Sequence, residues 1–150
     1  MRNYKKHSEC DSTKEYLSQA LDIDRRINAK LAKITYYRSL AKRATNTYSA
    51  EKVSETPQRS RVEDCVCKII ELEKSANEDI DELVNLKAEI ETVIRQVERS
   101  DYQQLLELRY ICCKTWEQIA VDINYAIVHV WRLHGSALEK VKKIIECNGM

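Results

Sequence analysis

The chain has 150 residues, of which 25 are Lys or Arg and 24 are Asp or Glu, and this length fits one compact domain or one small domain on a helical extension. It contains only 2 glycines and 1 proline. Usual frequencies are about 7% and 5%, so turn-rich β-sandwiches, glycine-rich phosphate loops and collagenous segments are excluded. No run approaches the roughly 18 apolar residues of a membrane span, and no signal-peptide pattern opens the chain. We therefore expect a cytoplasmic protein with no membrane partner.

Charge is segregated along the chain. Residues 1–61 hold 14 basic and 7 acidic residues, residues 62–98 hold 4 and 11, and residues 99–150 hold 7 and 6. The first two blocks therefore have opposite signs. Opposite charges on successive helical patterns indicate that the two helices pack on each other.

A first helix is predicted over residues 12–44, because apolar residues recur there in steps of three, four and seven. Ser12 followed by Glu15 has the capping-box spacing and predicts that the helix begins there. The pattern stops over residues 45–61, where Ser and Thr gather around Pro57. This stretch is predicted to be a connector.

A second helix is predicted over residues 62–98, with a spacing typical of a coiled coil over about five heptads. Such a helix is on the order of 55 Å long and must pack against another long helix. It can do so in an antiparallel hairpin with the first helix, or by self-association into a four-helix arrangement, and both remain open. Residues 1–98 form the predicted hairpin domain. The predicted seam consists of Leu31, Ile34, Ile69, Ile80, Leu83, Ile90 and Ile94.

Neither catalysis nor a cofactor is expected. The 6 cysteines include no CxxC pair, and we interpret them as reduced thiols. A zinc site formed by Cys112, Cys113, His129 and His134 would match no known ligand spacing, so no metal is expected. Catalytic and phosphate-binding motifs such as HExxH, the P-loop and GxGxxG are missing from the sequence. We expect a protein that is not an enzyme.

Residues 99–150 form a second predicted domain, made of three shorter helices. Ser100 with Gln103, and Thr115 with Gln118, have the spacing of capping boxes and predict two helix starts. A short turn at residues 122–124 then precedes a helix predicted from about Ala126 to Glu146. The spacing is that of a helix-turn-helix, so the predicted fold is all-α, a long antiparallel helical hairpin followed by a C-terminal helix-turn-helix.

The segment TWEQIAVDINYAIVHVWRLHGSALEKVKKI resembles region four, the promoter-reading domain of bacterial sigma factors. Thr115 stands at the helix cap, Ala120 is the small residue where the two helices approach, and Ala137-Leu138 closes the pattern. Asn124 stands where sigma factors have a turn glycine. Asparagine tolerates the left-handed conformation better than other non-glycine residues, so this replacement is compatible with the turn.

Most of the chain is also similar to a family of small phage and prophage proteins of Gram-positive bacteria. Residues 14–28 (KEYLSQA…D.RIN) and 105–138 (LELRY…KTWE.IA…Y…V…LHG.AL) carry the resemblance. These proteins are similar to ArpU-type regulators, which are regarded as sigma-like activators of late phage operons. The resemblance implies a transcription regulator in the bacterial host cytoplasm, with double-stranded DNA and host RNA polymerase as partners.

The predicted recognition helix supplies the candidate DNA contacts. Arg132 is the one residue there that can bind a base edge through two hydrogen bonds. His134 and Trp116 are expected to pack inside the domain. Lys114, Lys140 and Lys143 are candidate phosphate contacts. The predicted DNA-binding residues are Thr115, Ile127, Val128, His129, Trp131 and Arg132.

Two features keep other functions open. A formal net charge of +1 neutralises few phosphates, so DNA binding is expected to need a homo-oligomer, with a dimer favoured, or docking on the polymerase. The recognition helix also opens with the apolar residues Ala126, Ile127 and Val128, which donate no hydrogen bonds from their side chains. A protein-interaction module that has lost DNA readout is one alternative. A small DNA-packaging, terminase-like subunit is another, and ring-shaped oligomers would favour it.

Overall fold

The computed structural model describes the backbone of residues 3–48 and 55–149 and the side chains of residues 12–46 and 59–149. All regular structure in these ranges is helical, which confirms the all-α prediction. None of the described helices has a stretch long and apolar enough to cross a membrane. The elements are α1 (Asn3–Tyr48), α2 (Glu55–Ile94), α3 (Ser100–Leu106), a π-helical turn (Glu107–Ile111), α4 (Trp116–Asp122) and α5 (Ile127–Cys147).

The first two helices extend beyond their predicted bounds into the connector. α1 begins at Asn3, so the predicted helix start at Ser12 is wrong. No glycine or proline stands between Asn3 and Ser12 to end a helix, and the capping-box spacing also occurs inside helices. α2 begins at Glu55, which places Pro57 in its first turn, where the missing N–H costs no helical hydrogen bond. Residues 49–54 of the predicted connector lie outside the described residues.

The junction between α2 and α3 is stabilised by a glutamine. α2 ends at Ile94, before the predicted bound at residue 98. The residue that caps α3 is Arg99, so the predicted capping box of Ser100 and Gln103 is wrong. The Nε2 of Gln103 instead donates to the carbonyl oxygen of Val97 at 2.6 Å. This bond satisfies a backbone carbonyl in the short segment between α2 and α3.

The chain divides into two compact units. The hairpin unit consists of residues 23–82, and the terminal unit consists of residues 1–22 with residues 83–150. In the hairpin unit, Arg26 contacts Asp79 at 3.1 Å, while Arg38, further along α1, contacts Glu73, earlier on α2, at 2.6 Å. This reversed order shows that α1 and α2 run antiparallel, as predicted.

A cluster of charged side chains joins the two helices of the hairpin unit. Lys30 Nζ lies 2.5 Å from the carboxylate of Asp79 and 2.6 Å from the hydroxyl of Ser75. Hydrogen bonds from Lys30 and then Arg26 hold the pKa of Asp79 below its ordinary value. The basic residues come from α1 and the acid from α2, so the pairs follow the segregation of charge along the sequence.

The predicted seam residues separate into buried and exposed positions. In the hairpin unit Ile34 is buried and Ile69 is half-buried, but Leu31 and Ile80 are 46% and 38% exposed. Both exposed residues fit the apolar spacing of the sequence, but they lie at the edge of the contact between α1 and α2. In the terminal unit the other three seam residues, Leu83, Ile90 and Ile94, are buried.

The terminal unit has a core to which every one of its helices contributes. Lys87 reaches from α2 to the carbonyl oxygen of Ile111 at 2.8 Å, which satisfies an acceptor at the end of the π-helical turn. The core therefore holds α4 and α5 on a rigid base. Its fully buried side chains include Leu17, Ile90, Ile94, Leu105, Tyr110, Ile119, Val130 and Val141.

Candidate functional site

α4 begins at a complete capping box, as the sequence predicts. The hydroxyl of Thr115 accepts a hydrogen bond from the backbone N–H of Gln118 at 3.3 Å. The side-chain oxygen of Gln118 accepts from the N–H of Thr115 at 3.0 Å. Two otherwise unpaired N–H groups are satisfied in this way. Thr115 is exposed and marks the start of α4, and this capping role does not depend on its predicted contact with DNA.

A four-residue turn over residues 123–126 joins α4 to α5. Asn124 has φ of 56°, which is the left-handed conformation expected from the sequence. The N–H of Tyr125 donates to the carbonyl oxygen of Ala120 at 3.0 Å and closes the turn. The turn therefore has a defined geometry and sets the direction in which α5 leaves.

α5 begins without a side-chain cap. Its N-cap residue, Ala126, has only a methyl side chain, so the first N–H groups of α5 have no side-chain acceptor there. The carbonyl oxygen of Ala126 accepts from the N–H groups of His129 and Val130 at 2.9 and 3.1 Å. The first acidic residue of α5 is Glu139, in its fourth turn.

The inner face of α5 is anchored by a buried histidine. Nε2 of His134 and the hydroxyl of Tyr110 share a hydrogen bond of 2.8 Å, and the ring of Trp116 packs edge-on against His134 at 4.7 Å. Burial lowers the pKa of His134 to about 4, assisted by the positive charges of Lys14 and Arg109. His134 is thus neutral at pH 7 and serves packing, as expected.

Trp116 packs against α5, as expected, but remains half-buried. The guanidinium of Arg109 lies over its ring, 4.4 Å from the centroid, and donates to the carbonyl oxygen of Lys114 at 2.7 Å. The ring of Trp116 is also the group that contacts His134 on α5. Arg109 and Trp116 therefore orient the start of α4 against α5.

The outer face of α5 holds the predicted DNA-contact residues. Val128 and Trp131 are 57% and 53% exposed, and His129 and Arg132 are exposed as well. Ile127 is half-buried, so its side chain is only partly available. Tyr125 packs edge-on against the ring of His129 at 4.7 Å. The structure thus brings these predicted residues together on one accessible surface.

The stretch of chain that carries this surface contains no acidic residue. Residues 123–138 contain no Asp or Glu, although the chain has 24 of them. In the described part of the chain, no carboxylate pairs with Arg132. Lys114 differs, because its Nζ lies 2.6 Å from the carboxylate of Asp122. That hydrogen bond raises the pKa of Lys114 and occupies the charge predicted to contact phosphate.

The other two predicted phosphate contacts lie towards the C-terminal end of α5. Lys140 and Lys143 are exposed and line a cleft of about 250 Å³ together with Arg99. Arg99 is already paired with Asp101 at 2.5 Å. Lys140 and Lys143 therefore supply the uncompensated positive charge of this cleft.

Sequence reasoning did not single out two exposed apolar residues beside the site. Val121 on α4 is 79% exposed, and Tyr125 in the turn is 45% exposed. Val121 fits the apolar pattern of α4 and Tyr125 lies in the turn after it, so only the packing of the unit reveals that both face solvent. With Val128 and Trp131, they make the surface around the turn strongly apolar.

No metal site is formed where the structure describes side chains: no three His, Cys, Asp or Glu residues there are grouped so that they could share an ion. Two of the four residues weighed as zinc ligands are engaged otherwise. His134 is hydrogen-bonded to Tyr110, and His129 packs against Tyr125. Cys113 has φ of 55° in the loop before α4.

Comparison with known proteins gives one match. No curated protein and no solved structure matches the chain. The family model described as "Protein of unknown function (DUF1492)" matches residues 42–142. This range includes the end of α1, all of α2, α3 and α4, and most of α5. Since the match covers well over half of the chain, the protein belongs to the DUF1492 family.

Proposed function

We propose that the terminal unit binds double-stranded DNA through the outer face of α5, and that the protein is a phage-type transcription regulator. The observation that carries the proposal is the accessible surface of α5 over residues 127–138, which includes Arg132 and no acidic residue. The resemblance of residues 115–144 to sigma region four supports the same function.

The arrangement of α4 and α5 suits the major groove. In a helix-turn-helix the first helix crosses the DNA backbone, and the N-terminal part of the second contacts base edges. Here α4 is fixed by the Thr115 capping box and α5 by its buried inner face. The side chains that remain free to contact DNA are those on the outer face of the first turns of α5. They would enter the groove without movement of the core.

Chemically, this surface can distinguish bases in two ways. The guanidinium of Arg132 can donate two parallel hydrogen bonds to O6 and N7 of guanine. Val128 is exposed and can contact the methyl group of thymine. Since no carboxylate stands among residues 123–138, neighbouring phosphates meet no repulsion from this stretch.

A single copy of this surface is not expected to bind DNA tightly by itself. Binding to DNA grows with the number of phosphates neutralised, and the chain has a formal net charge of +1. We propose that the protein acts with host RNA polymerase or as a dimer. A dimer doubles the contacts and fixes a half-site spacing, and polymerase supplies protein contacts instead.

A second candidate function rests on the exposed apolar side chains around the turn. Val121, Tyr125, Val128 and Trp131 are each at least 45% exposed. Large exposed apolar patches mark protein-interaction sites more often than single exposed residues do. These four residues favour a protein-interaction module as the alternative to DNA readout.

Selection from a pool of random-sequence duplexes tests the proposal. The purified protein is incubated with the pool, with and without bacterial RNA polymerase, and bound duplexes are sequenced. Enrichment of a discrete motif is expected in at least one condition. In Arg132→Ala the enrichment should be weaker and the preference at one base position should be lost. Both should be kept in the matched control Arg61→Ala, an exposed arginine of α2 in the hairpin unit.

Two results would count against DNA readout. If no motif is enriched in either condition, the protein-interaction module becomes the better account of the exposed surface. If a motif is enriched equally by wild type and Arg132→Ala, α5 does not read DNA through Arg132.

A further inference from the structure

Two cysteines stand side by side in the loop that joins the π-helical turn to α4. Cys112 is exposed, Cys113 is half-buried, and both are reduced. Cysteines that react with oxidants are usually accessible to solvent, and a second cysteine often lies beside them. Because these two are neighbours in the chain, no distant segment has to approach for their sulfurs to meet. The pair therefore meets both conditions.

Cys113 has a backbone conformation that favours glycine. Its φ is 55°, in the left-handed region that is unfavourable for a residue with a Cβ. It directly follows Cys112, which caps the C-terminal end of the π-helical turn, and helices commonly place a glycine at this position. Residues held in such conformations cluster at functional sites. Since glycine would suit the backbone better, the cysteine indicates a role for the thiol.

Hydrogen bonds hold the chain on both sides of the pair. The N–H of Cys112 donates to the carbonyl oxygen of Glu107 at 2.9 Å. The N–H of Lys114 donates to the carbonyl oxygen of Leu108 at 3.0 Å, and its own carbonyl oxygen accepts from Arg109 at 2.7 Å. The next residue is the N-cap of α4. A change of backbone torsion at the two cysteines is therefore transmitted to the start of α4.

We infer that Cys112 and Cys113 form a reversible oxidation site for peroxides, and that their disulfide moves the start of α4. The thiolate of the more exposed Cys112 attacks one peroxide oxygen and becomes a sulfenic acid. The O–O bond breaks, and the leaving oxygen takes up the proton that Cys112 has lost. The thiol of Cys113 then attacks the sulfenic sulfur, and the S–S bond forms as the sulfenic oxygen leaves as water with the thiol proton. One peroxide is reduced, and two thiols are oxidised to one disulfide.

This disulfide is expected to be strained and easily reduced. The Cα atoms of neighbouring residues are about 3.8 Å apart, below the usual range of about 4.4–6.8 Å for disulfides. Strained and exposed disulfides have the higher reduction potentials of regulatory bonds. The bond also closes a ring through the Cys112–Cys113 peptide, so the torsions of both residues must adjust. An effect on DNA binding rests on the proposed function, whereas the oxidation site and its test do not.

Peptide mapping after peroxide treatment tests the site. Trypsin cleaves after Arg109 and Lys114, so the peptide Tyr110–Lys114 contains both cysteines and no others. The folded protein is treated with hydrogen peroxide at neutral pH, remaining thiols are alkylated, and the protein is digested. This peptide is expected to lose two hydrogens and to carry no alkyl group. Dithiothreitol added before alkylation should give the doubly alkylated peptide again.

Helix α2 contains a matched control pair. Cys65 is half-buried and Cys67 is exposed, as Cys113 and Cys112 are, and both lie in the tryptic peptide Val62–Lys68. Residues two apart on a helix are separated by about 200° and do not face each other. This peptide is therefore not expected to lose two hydrogens under the same treatment.

Fluorescence of Trp116 tests whether the start of α4 moves. Trp116 is the first residue of α4, and its ring packs against His134 and under the guanidinium of Arg109. The chain has 2 tryptophans, so Trp131→Phe leaves Trp116 as the sole emitter. Peroxide is expected to change this emission, and dithiothreitol to restore it. Cys113→Ser in the same background should abolish the change, because Cys112 then has no neighbouring thiol.

Three outcomes would overturn the inference. The first is a peptide Tyr110–Lys114 that stays fully alkylated after peroxide, or that gains oxygen instead of losing hydrogen. The second is an equal loss of hydrogens from Val62–Lys68, which would show that the reaction does not select the adjacent pair. The third is a disulfide that changes the emission of Trp116 no more than peroxide does in Cys113→Ser, since the start of α4 would then not respond to oxidation.

Discussion

The hydroxyl of Tyr110 lies 2.8 Å from Nε2 of His134 and thereby joins the π-helical turn to α5. Both residues are buried in the terminal unit. Their bond holds the inner face of α5, directly behind the proposed DNA-contact surface. A buried hydrogen bond of this kind is costly to break, because each partner would then be left without water or protein to bond.

Stability is expected to fall between neutral pH and pH 4 because of His134. Burial lowers its pKa from 6.5 to about 4, so the unfolded chain binds a proton at this position before the folded chain does. The free energy of unfolding therefore rises with pH across this window, and the stabilisation is lost as pH falls through it. The full effect of the shift is about 3 kcal/mol. Urea unfolding of wild type and His134→Gln at several pH values measures it.

His129 provides the control for this experiment. It is exposed on the same helix, and His129→Gln should keep the pH dependence of wild type. The variant His134→Gln is expected to be less stable at pH 7 and less sensitive to pH between 4 and 7. Parallel pH profiles for wild type and His134→Gln would show that His134 is not the responsible group.

The Thr115 capping box is expected to contribute measurable stability. Thr115→Ala removes the acceptor of the Gln118 N–H and should lower the free energy of unfolding by about 1 kcal/mol. Thr35→Ala is the matched control, because the hydroxyl of Thr35 bonds only the preceding turn of its own helix at the carbonyl of Leu31. Chemical denaturation of both variants gives the comparison. Equal stability of the two would contradict a stabilising role for the cap.

Asn124 is expected to tolerate glycine and to resist β-branched residues. Its φ of 56° costs an ordinary residue about 1–2 kcal/mol, and glycine adopts this conformation freely. Asn124→Gly should therefore leave stability close to that of wild type, and Asn124→Val should reduce both stability and DNA binding. Melting temperatures of the two variants test the order. The prediction fails if Asn124→Val melts at or above Asn124→Gly.

The sequence predicts much of this fold because its signals are local. The near absence of glycine and proline predicts the long helices, and the Thr115 box and Asn124 predict the junction of α4 and α5. The errors at Ser12 and Ser100 have one cause: a capping-box spacing also fits residues inside a helix or its first turn. At Ser12 the continuity of α1 outweighs the local signal, and at Ser100 the side chain of Gln103 bonds the carbonyl oxygen of Val97 instead.

The pattern of apolar and polar residues along the sequence does not predict tertiary contacts or the exposure of single residues. The bond between Tyr110 and His134 joins residues 24 positions apart, and nothing in the spacing indicates it. The same limit applies to exposure. Ile80 and Val121 have the apolar identity of core residues but face solvent, and their neighbours in the folded unit decide this. The sequence thus located the candidate surface on α5 but missed its apolar surroundings.

Arg132→Ala is expected to weaken binding to the selected duplex by about 1–3 kcal/mol and to relax preference at one base position. Arg132→Lys should restore that preference only in part, since an ammonium group on a flexible stem lacks the rigid planar fork of a guanidinium. Fluorescence anisotropy with the selected duplex and with single-base variants of it measures both effects. A loss that is uniform over all base variants would assign Arg132 to the phosphate backbone instead.

Lys143→Ala is expected to affect DNA binding in a different way. Lys143 is exposed beside Lys140 and makes no ion pair within the described residues, so its charge is free to meet a phosphate. Removing one phosphate contact weakens binding to all sequences alike and makes the dependence of log K on log salt shallower by about 1. Binding isotherms at four salt concentrations give the slopes for wild type, Lys143→Ala and Lys33→Ala, an exposed lysine of the hairpin unit. If Lys143→Ala and Lys33→Ala both have the wild-type slope, the cleft at the end of α5 does not contact DNA. The contact surface then ends nearer Arg132.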